Sequence, residues 1–301
     1  MSETPPKRVI VFDPRERTMA AVRDYLADPE RFLADQDRAL PLLLRAYKAA
    51  DNARKRDIIH LLGGVARPEV AHALYEILGD RAATEALRLA AAIQLCVTLP
   101  LLAEPGALIE RLLADLRRDS AALRRFAALA LGWEGNQRAA LALIELLYDP
   151  DSEVQQAAVH ALVNLEDDRV LCLLEDRLTH GRREQQKAIL FNLWRFDARR
   201  RQVGAIYRRF LDHPDAELRY DALELLATMA EPDLLQNARC HALGDASARV
   251  RLLALRGLAE NTGRLPAAAV ARLADLQRDP DPAVRATALA LRRRTALEPR
   301  G

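Results

Sequence analysis

Six histidines, three cysteines, two tryptophans and 43 acidic residues are the groups in this 301-residue chain that could do chemistry. The histidines are His60, His72, His160, His180, His213 and His241, and no two lie within four residues of each other. A zinc site of the HExxH type needs two imidazoles one helical turn apart, so none is encoded. Cys96, Cys172 and Cys240 form no CxxC pair, and an odd, scattered set does not make a disulfide framework. Each is expected to be a small core residue with a reduced thiol. Phosphate-cradling loops of the GxGxxG and GxxxxGK[ST] types are absent, as is the GxSxG turn that presents a nucleophilic serine. Carboxylates are plentiful, but on a charged helical surface most of them face solvent. No catalytic residue, metal ligand or cofactor site is assigned.

The elements that would position any site are helices. Half of the residues are apolar, and most of these are Ala and Leu, which are strong helix formers. Glycine occurs only 12 times, and aromatic residues make up 5% of the chain. The residues that strands favour are few. The 45 basic residues balance the 43 acidic ones to a net charge of +2, which does not draw polyanions by bulk charge. Nucleic acid and membrane are therefore not expected partners. The N-terminal sequence MSETPPKRVIVFDPRER lacks the apolar run of a signal peptide. The longest near-apolar stretch, residues 89–103, contains Gln94 and Pro100 and is too short to span a bilayer. A soluble, cytoplasmic, monomeric protein is the expectation.

Internal repetition organises the chain. DPDSEVQQAAVHAL from Asp149, HPDAELRYDALELL from His213, DASARVRLLALRGL from Asp245 and DPDPAVRATALALR from Asp279 align. Their apolar anchors are Val154, Leu218, Val250 and Val284, and the template extends back to Gln185, Leu123, Leu87 and Arg54. Successive anchors are 33, 36, 31, 31, 33, 32 and 34 residues apart, room for two short helices and two turns. Positions +4, +5 and +8 after the anchor are mostly apolar and share one helical face. Position +4 is Ala in six of the eight repeats, with Ile58 and Ile189 as exceptions, so neighbouring helices are expected to approach closely. Asp149, Asp151, Asp215 and Asp279 are placed to cap the second helices, and Pro150, Pro214, Pro280 and Pro282 to break the preceding ones. One helix pair cannot bury both of its faces, so stacking must complete the core. The fold class is all-α, an α-α superhelix of about eight helix pairs. Its expected parts are an N-terminal extension and capping helix (1–38), the solenoid (39–297) and a short tail (298–301). Residues 8–12 (RVIVF) have strand character, and residues 18–38 read as one capping helix and its loop.

The pattern D-P-D-x-x-V-R-x-x-A-x-x-A-L, clearest from Asp279, resembles the short HEAT-like repeat of the phycobilin-lyase type. The resemblance covers roughly residues 40–297 and implies fold far more than function. It implies a stabilising ladder of an Asp before each second helix and an Arg after the anchor. Asp245 with Arg251 and Asp279 with Arg285 match, while His213 with Arg219 and Asp149 with Gln155 match in part. The ladder is therefore expected to break mid-chain. Deoxyhypusine hydroxylase is a HEAT-like solenoid of similar size whose iron ligands are His-Glu dipeptides, and this chain has none. The alkylpurine DNA glycosylases use Trp and Asp on such a scaffold, roles for which Trp133, Trp194 and Asp197 are available. The alternative for Trp133 and Trp194 is gap-filling between repeats.

In HEAT-like solenoids the second helices line the concave face, and positions +2, +6 and +10 from each anchor should be exposed there. The function this implies is a non-enzymatic scaffold binding a protein partner on that face. An enzyme or nucleic-acid binder, phycobilin-lyase-like or alkylpurine DNA glycosylase-like, is the alternative. The expected contact residues are Arg125, Trp133, His160, Lys187, Phe191, Arg195, Tyr220, Glu224 and Arg256, with Arg199, Arg200 and Arg201 alongside. The mixture of arginine, aromatic and aliphatic side chains suits a protein interface. Residues 182–209 carry a net charge of +7, from eight Arg and Lys187 against Glu184 and Asp197. Residues 212–233 carry −6, from seven acids against Arg219. Either these stretches neutralise each other, or the basic one attracts an acidic partner surface.

Overall fold

The computed structural model describes residues 14–133, 135–165, 168–229, 232–260 and 265–297. They form 18 α-helices and three single 3₁₀ turns, with no strand among the described residues. The RVIVF segment lies outside the described residues. The chain divides into two compact units, Met1–Asp167 and Asp168–Gly301. The first holds α1 (Pro14–Ala27), α2 (Pro29–Ala34), α3 (Gln36–Ala49), α4 (Asn52–Leu62), α5 (Pro68–Gly79), α6 (Glu85–Thr98), α7 (Gly106–Asp115), α8 (Ala121–Leu131), α9 (Ala140–Glu145) and α10 (Ser152–Asn164). The second holds α11 (Asp168–His180), α12 (Arg183–Leu193), α13 (Arg200–Phe210), α14 (Ala216–Met229), α15 (Pro232–Ala242), α16 (Ala248–Glu260), α17 (Ala267–Leu276) and α18 (Pro282–Leu297). From α3 onward the helices pair as first and second members of eight repeats, an all-α solenoid pattern. In the first unit α4, α6, α8 and α10 pack in succession, and in the second α12, α14, α16 and α18 do the same.

The packing follows the side chain at position +4. Ile58, Ala91, Ala127, Ala158, Ile189, Ala222, Ala254 and Ala288 are all buried. A methyl group lets adjacent second helices come close, and larger residues at +5 and +8, such as Val159, Leu162, Leu223 and Leu226, fill the layer between them. The end of α8 shows how close the approach is. A Cβ on Gly132 would lie 2.4 Å from the Cα of Ala161, so only glycine fits. The anchors Leu87, Val154, Leu218, Val250 and Val284 are buried, whereas Leu123 and Gln185 are half-buried and Arg54 is exposed. The template holds least well where the anchor is polar.

Several expectations need correction. Residues 18–38 are not one helix and a loop. Asp28 caps Arg31 N–H at 3.0 Å and Pro29 supplies no N–H, so the chain breaks there into α1 and α2, and α3 already begins at Gln36. Asp151 and Asp215 cap as expected, accepting the N–H of Glu153 at 2.9 Å and of Glu217 at 2.8 Å. Asp149 and Asp279 do not cap. Each stands two residues earlier and accepts the N–H of Asp151 or Asp281, and Asp281 is the cap of α18. Cys172 is exposed, while Cys96 and Cys240 are half-buried; all three thiols are free.

The ladder runs between repeats. Arg124 grips Asp149 through two hydrogen bonds of 2.7 and 2.8 Å, and Arg219 grips Asp245 through two of 2.7 Å. Arg251 reaches Asp279 at 2.7 Å. The same arginines donate to carbonyls of their own turn, as Arg219 does to His213 and Pro214. Arg219 thus makes a complete rung although His213 replaces the aspartate of its own turn. Among the described residues, Gln155 and Gln186 make only the turn contact, to Asp149 O and Leu178 O.

Candidate interaction surface

In the first unit, the expected contact residues divide by burial. Arg125 is not an exposed contact. Its side chain is only 14% exposed, because Glu85 on α6 pairs with it at 2.7 Å and Glu153 on α10 also binds it. It is a clamp across three second helices, set where the acidic first turns of its neighbours converge. Trp133 follows α8 half-buried, and its buried indole N–H has no acceptor among the described residues. His160 is exposed on α10, with Asn164 3.2 Å from its Nδ1. On α6, Ile93 and Val97 are exposed at the +6 and +10 positions.

In the second unit, α12 presents Lys187 and Phe191 to solvent, and Trp194 and Arg195, just past its C-terminus, are exposed beside them in sequence. Phe191 is 40% exposed and Trp194 47% exposed, so Trp194 does not fill a gap between repeats. Lys187 Nζ lies 5.8 Å from the Phe191 ring centre, and the Arg195 guanidinium 5.0 Å from that of Trp194. On α14, Tyr220 is half-buried beneath Arg249, whose guanidinium sits 4.2 Å from the ring centre, and Glu224 is exposed. Arg256 is exposed on α16. Cations over aromatic faces are held by the ring quadrupole. Arg249 was not legible as a contact, because it precedes its anchor by one residue and falls outside the +2, +6, +10 rule.

The charge question resolves residue by residue. Arg183 pairs with Asp215 and Glu217, both at 2.6 Å, and Lys187 approaches Asp221 at 3.6 Å. The basic flank of α12 and the acidic flank of α14 therefore neutralise each other. Asp215 is held below the usual carboxylate range, by the Glu217 N–H first and by Arg183. Arg195, Arg249 and Arg256 have no carboxylate partner among the described residues. Arg199 lies in a 3₁₀ turn and Arg200 and Arg201 begin α13, so this cluster belongs to a first helix. Arg200 is a helix-end clasp: its Nε donates to Met229 O, at the C-terminus of α14, at 2.5 Å.

Residues 109–194 match a family model described as HEAT repeats. This match and the all-helical fold fit a HEAT-like repeat protein. The repeat it carries is a helical scaffold, and no group of three or more His, Cys, Asp or Glu that could hold a metal ion occurs among its described residues. Nor is any helix of the HEAT-like chain, among those residues, long and apolar enough to cross a membrane. No curated protein matches the sequence. A structure of human deoxyhypusine hydroxylase in complex with glycerol is similar at 15% identity, covering 94% of this chain and 98% of its own, with a TM-score of 0.29. A likeness of that size carries no argument about activity.

Proposed function

We propose that this HEAT-like chain is a non-enzymatic scaffold that binds a protein partner on the exposed face of its second helices. The observation that carries this reading is the surface of α12, α14 and α16. There Phe191 and Trp194 are exposed, Arg195 lies over the Trp194 ring, Arg249 lies over Tyr220, and Arg256 is exposed on α16; these three arginines lack carboxylate partners among the described residues. Exposed aromatics next to arginines are the composition from which interface hot spots are built. The uncompensated arginines favour a partner that brings carboxylates to this face, and they would speed its approach. Arg199, Arg200 and Arg201 belong to the proposal only as a source of long-range field.

The test is the double substitution Phe191→Ala with Arg195→Glu. Affinity capture from the native host identifies partners, and calorimetry then compares wild type with the variant. The variant is expected to keep its thermal midpoint and to bind more weakly by about 2 kcal/mol or more, roughly thirtyfold. Undiminished affinity in the folded variant moves the site off this face.

A further inference from the structure

Three junctions between repeats are closed by the same rung: Arg124 to Asp149, Arg219 to Asp245 and Arg251 to Asp279. The register of the α12–α14 junction puts Gln186 where those arginines stand and His213 where the aspartates stand. Neither side chain spans the gap. Gln186 is buried, and its Nε2 donates to Leu178 O at 2.7 Å, while Oε1 has no hydrogen-bond donor among the described residues. His213 accepts the Asp215 N–H at Nδ1, 3.0 Å away. That bond places the imidazole proton on Nε2, which has no acceptor among the described residues. The His213 ring is held parallel to Phe210, with centroids 5.2 Å apart.

A cavity of about 390 Å³ opens where the rung is missing, lined by Gln186, His213, Leu178, Ile206 and Phe210. It is at the small end of the range for ligand sites, large enough for one ring. Glu175 and Arg209 also line it, and they pair with each other at 2.9 Å. The charge of the wall is thus balanced internally. A wall so balanced offers no net counter-charge to an ion of either sign, so an uncharged ligand is desolvated at least cost.

We infer that this cavity binds a small, uncharged cyclic ligand whose edge carries a carbonyl beside an N–H, as in a lactam. His213 Nε2–H donates to the ligand carbonyl, and the ligand N–H donates to Gln186 Oε1. The ring of the ligand covers Leu178, Ile206 and Phe210. The site is separate from the α12–α16 surface proposed for the protein partner and uses none of its residues.

Ligand-observed saturation-transfer NMR on the full chain tests this, with caprolactam as probe and cyclohexanecarboxylate and cyclohexylamine as charged controls. Caprolactam is expected to bind with a Kd of about 1 mM, ordinary for a fragment of this size, and both controls much more weakly. Gln186→Leu and His213→Asn, the latter keeping an acceptor for the Asp215 N–H, should each weaken binding roughly fivefold or more. Gln186→Arg combined with His213→Asp rebuilds the rung seen at Arg219 and Asp245. It should raise the thermal midpoint and abolish binding. If the double variant does not fold, the two single variants decide. The inference is overturned by no binding of caprolactam to wild type, by equal binding of the controls, or by binding that survives these substitutions.

Discussion

Single side chains set the spacing of this solenoid. A buried methyl group at position +4 fixes how near each second helix comes to the next, and Ala158 and Ala222 have no room beyond it. Ala158→Leu and Ala222→Leu are each expected to destabilise the chain by about 1–3 kcal/mol through overpacking, measured by urea unfolding. Two neutral substitutions would mean that the buried face is assigned wrongly. The cysteines differ from one another for a related reason. Cys96 donates to Gly132 O at 3.1 Å, and burial pushes its thiol up to about 11, so little thiolate exists at neutral pH. Cys172 is exposed on α11. Maleimide at pH 7 should therefore modify Cys172 first in the native protein, and Cys172→Ser should remove the fast phase. Labelling of Cys96 at an equal rate would contradict the packing at the end of α8.

Helix pairs are joined by the rungs, and these make the fold sensitive to acid. Burial pushes the Asp245 carboxyl up, but hydrogen bonds from Arg219 and Ser247 N–H and the charges of Arg219 and Arg251 outweigh it and hold it below the usual carboxylate range. Asp279 is depressed in the same way, with burial opposed by Arg251, the Asp281 N–H and Arg285. A group whose pKa is lower in the folded state contributes stability above its unfolded pKa, about 3.9 for Asp. That contribution is lost as pH falls through the folded value. The urea midpoint of wild type should therefore drop on acidification below about pH 4, and drop less in Asp245→Asn, which has already lost that contribution. At pH 7, Asp245→Asn is expected to cost about 3 kcal/mol, because it leaves the Arg219 guanidinium without a counter-charge in a site where both side chains are at most 12% exposed. An identical acid profile for both proteins would remove Asp245 from the account.

Across the whole molecule, stability should be distributed rather than shared equally. Each repeat touches its neighbours in sequence, so a lost rung loosens the repeats beside it before distant ones. Hydrogen exchange followed by mass spectrometry in Asp245→Asn should show faster exchange in α13–α18, with α3–α8 unchanged. A uniform rise along the chain would mean that it unfolds as one cooperative body. The division into units Met1–Asp167 and Asp168–Gly301 gives the comparison its two halves.

By itself the sequence determined the fold class, the eight helix pairs and the buried column at +4. These depend on local periodicity and turn chemistry, both of which one strand of text records. Asp151 and Asp215 were legible as caps for the same reason. The roles of Arg125, Arg219 and Arg200 were decided only in three dimensions, since their partners, Glu85 and Glu153, Asp245, and Met229 O, lie 26 to 40 residues away. Whether a charged residue on a repeat faces a partner or clamps its neighbours depends on which acidic side chain the stacking brings opposite it. The cavity at Gln186 and His213 has the same origin. Each residue looks like a mild departure from the repeat, and only stacking shows that both departures fall on one junction and leave it open.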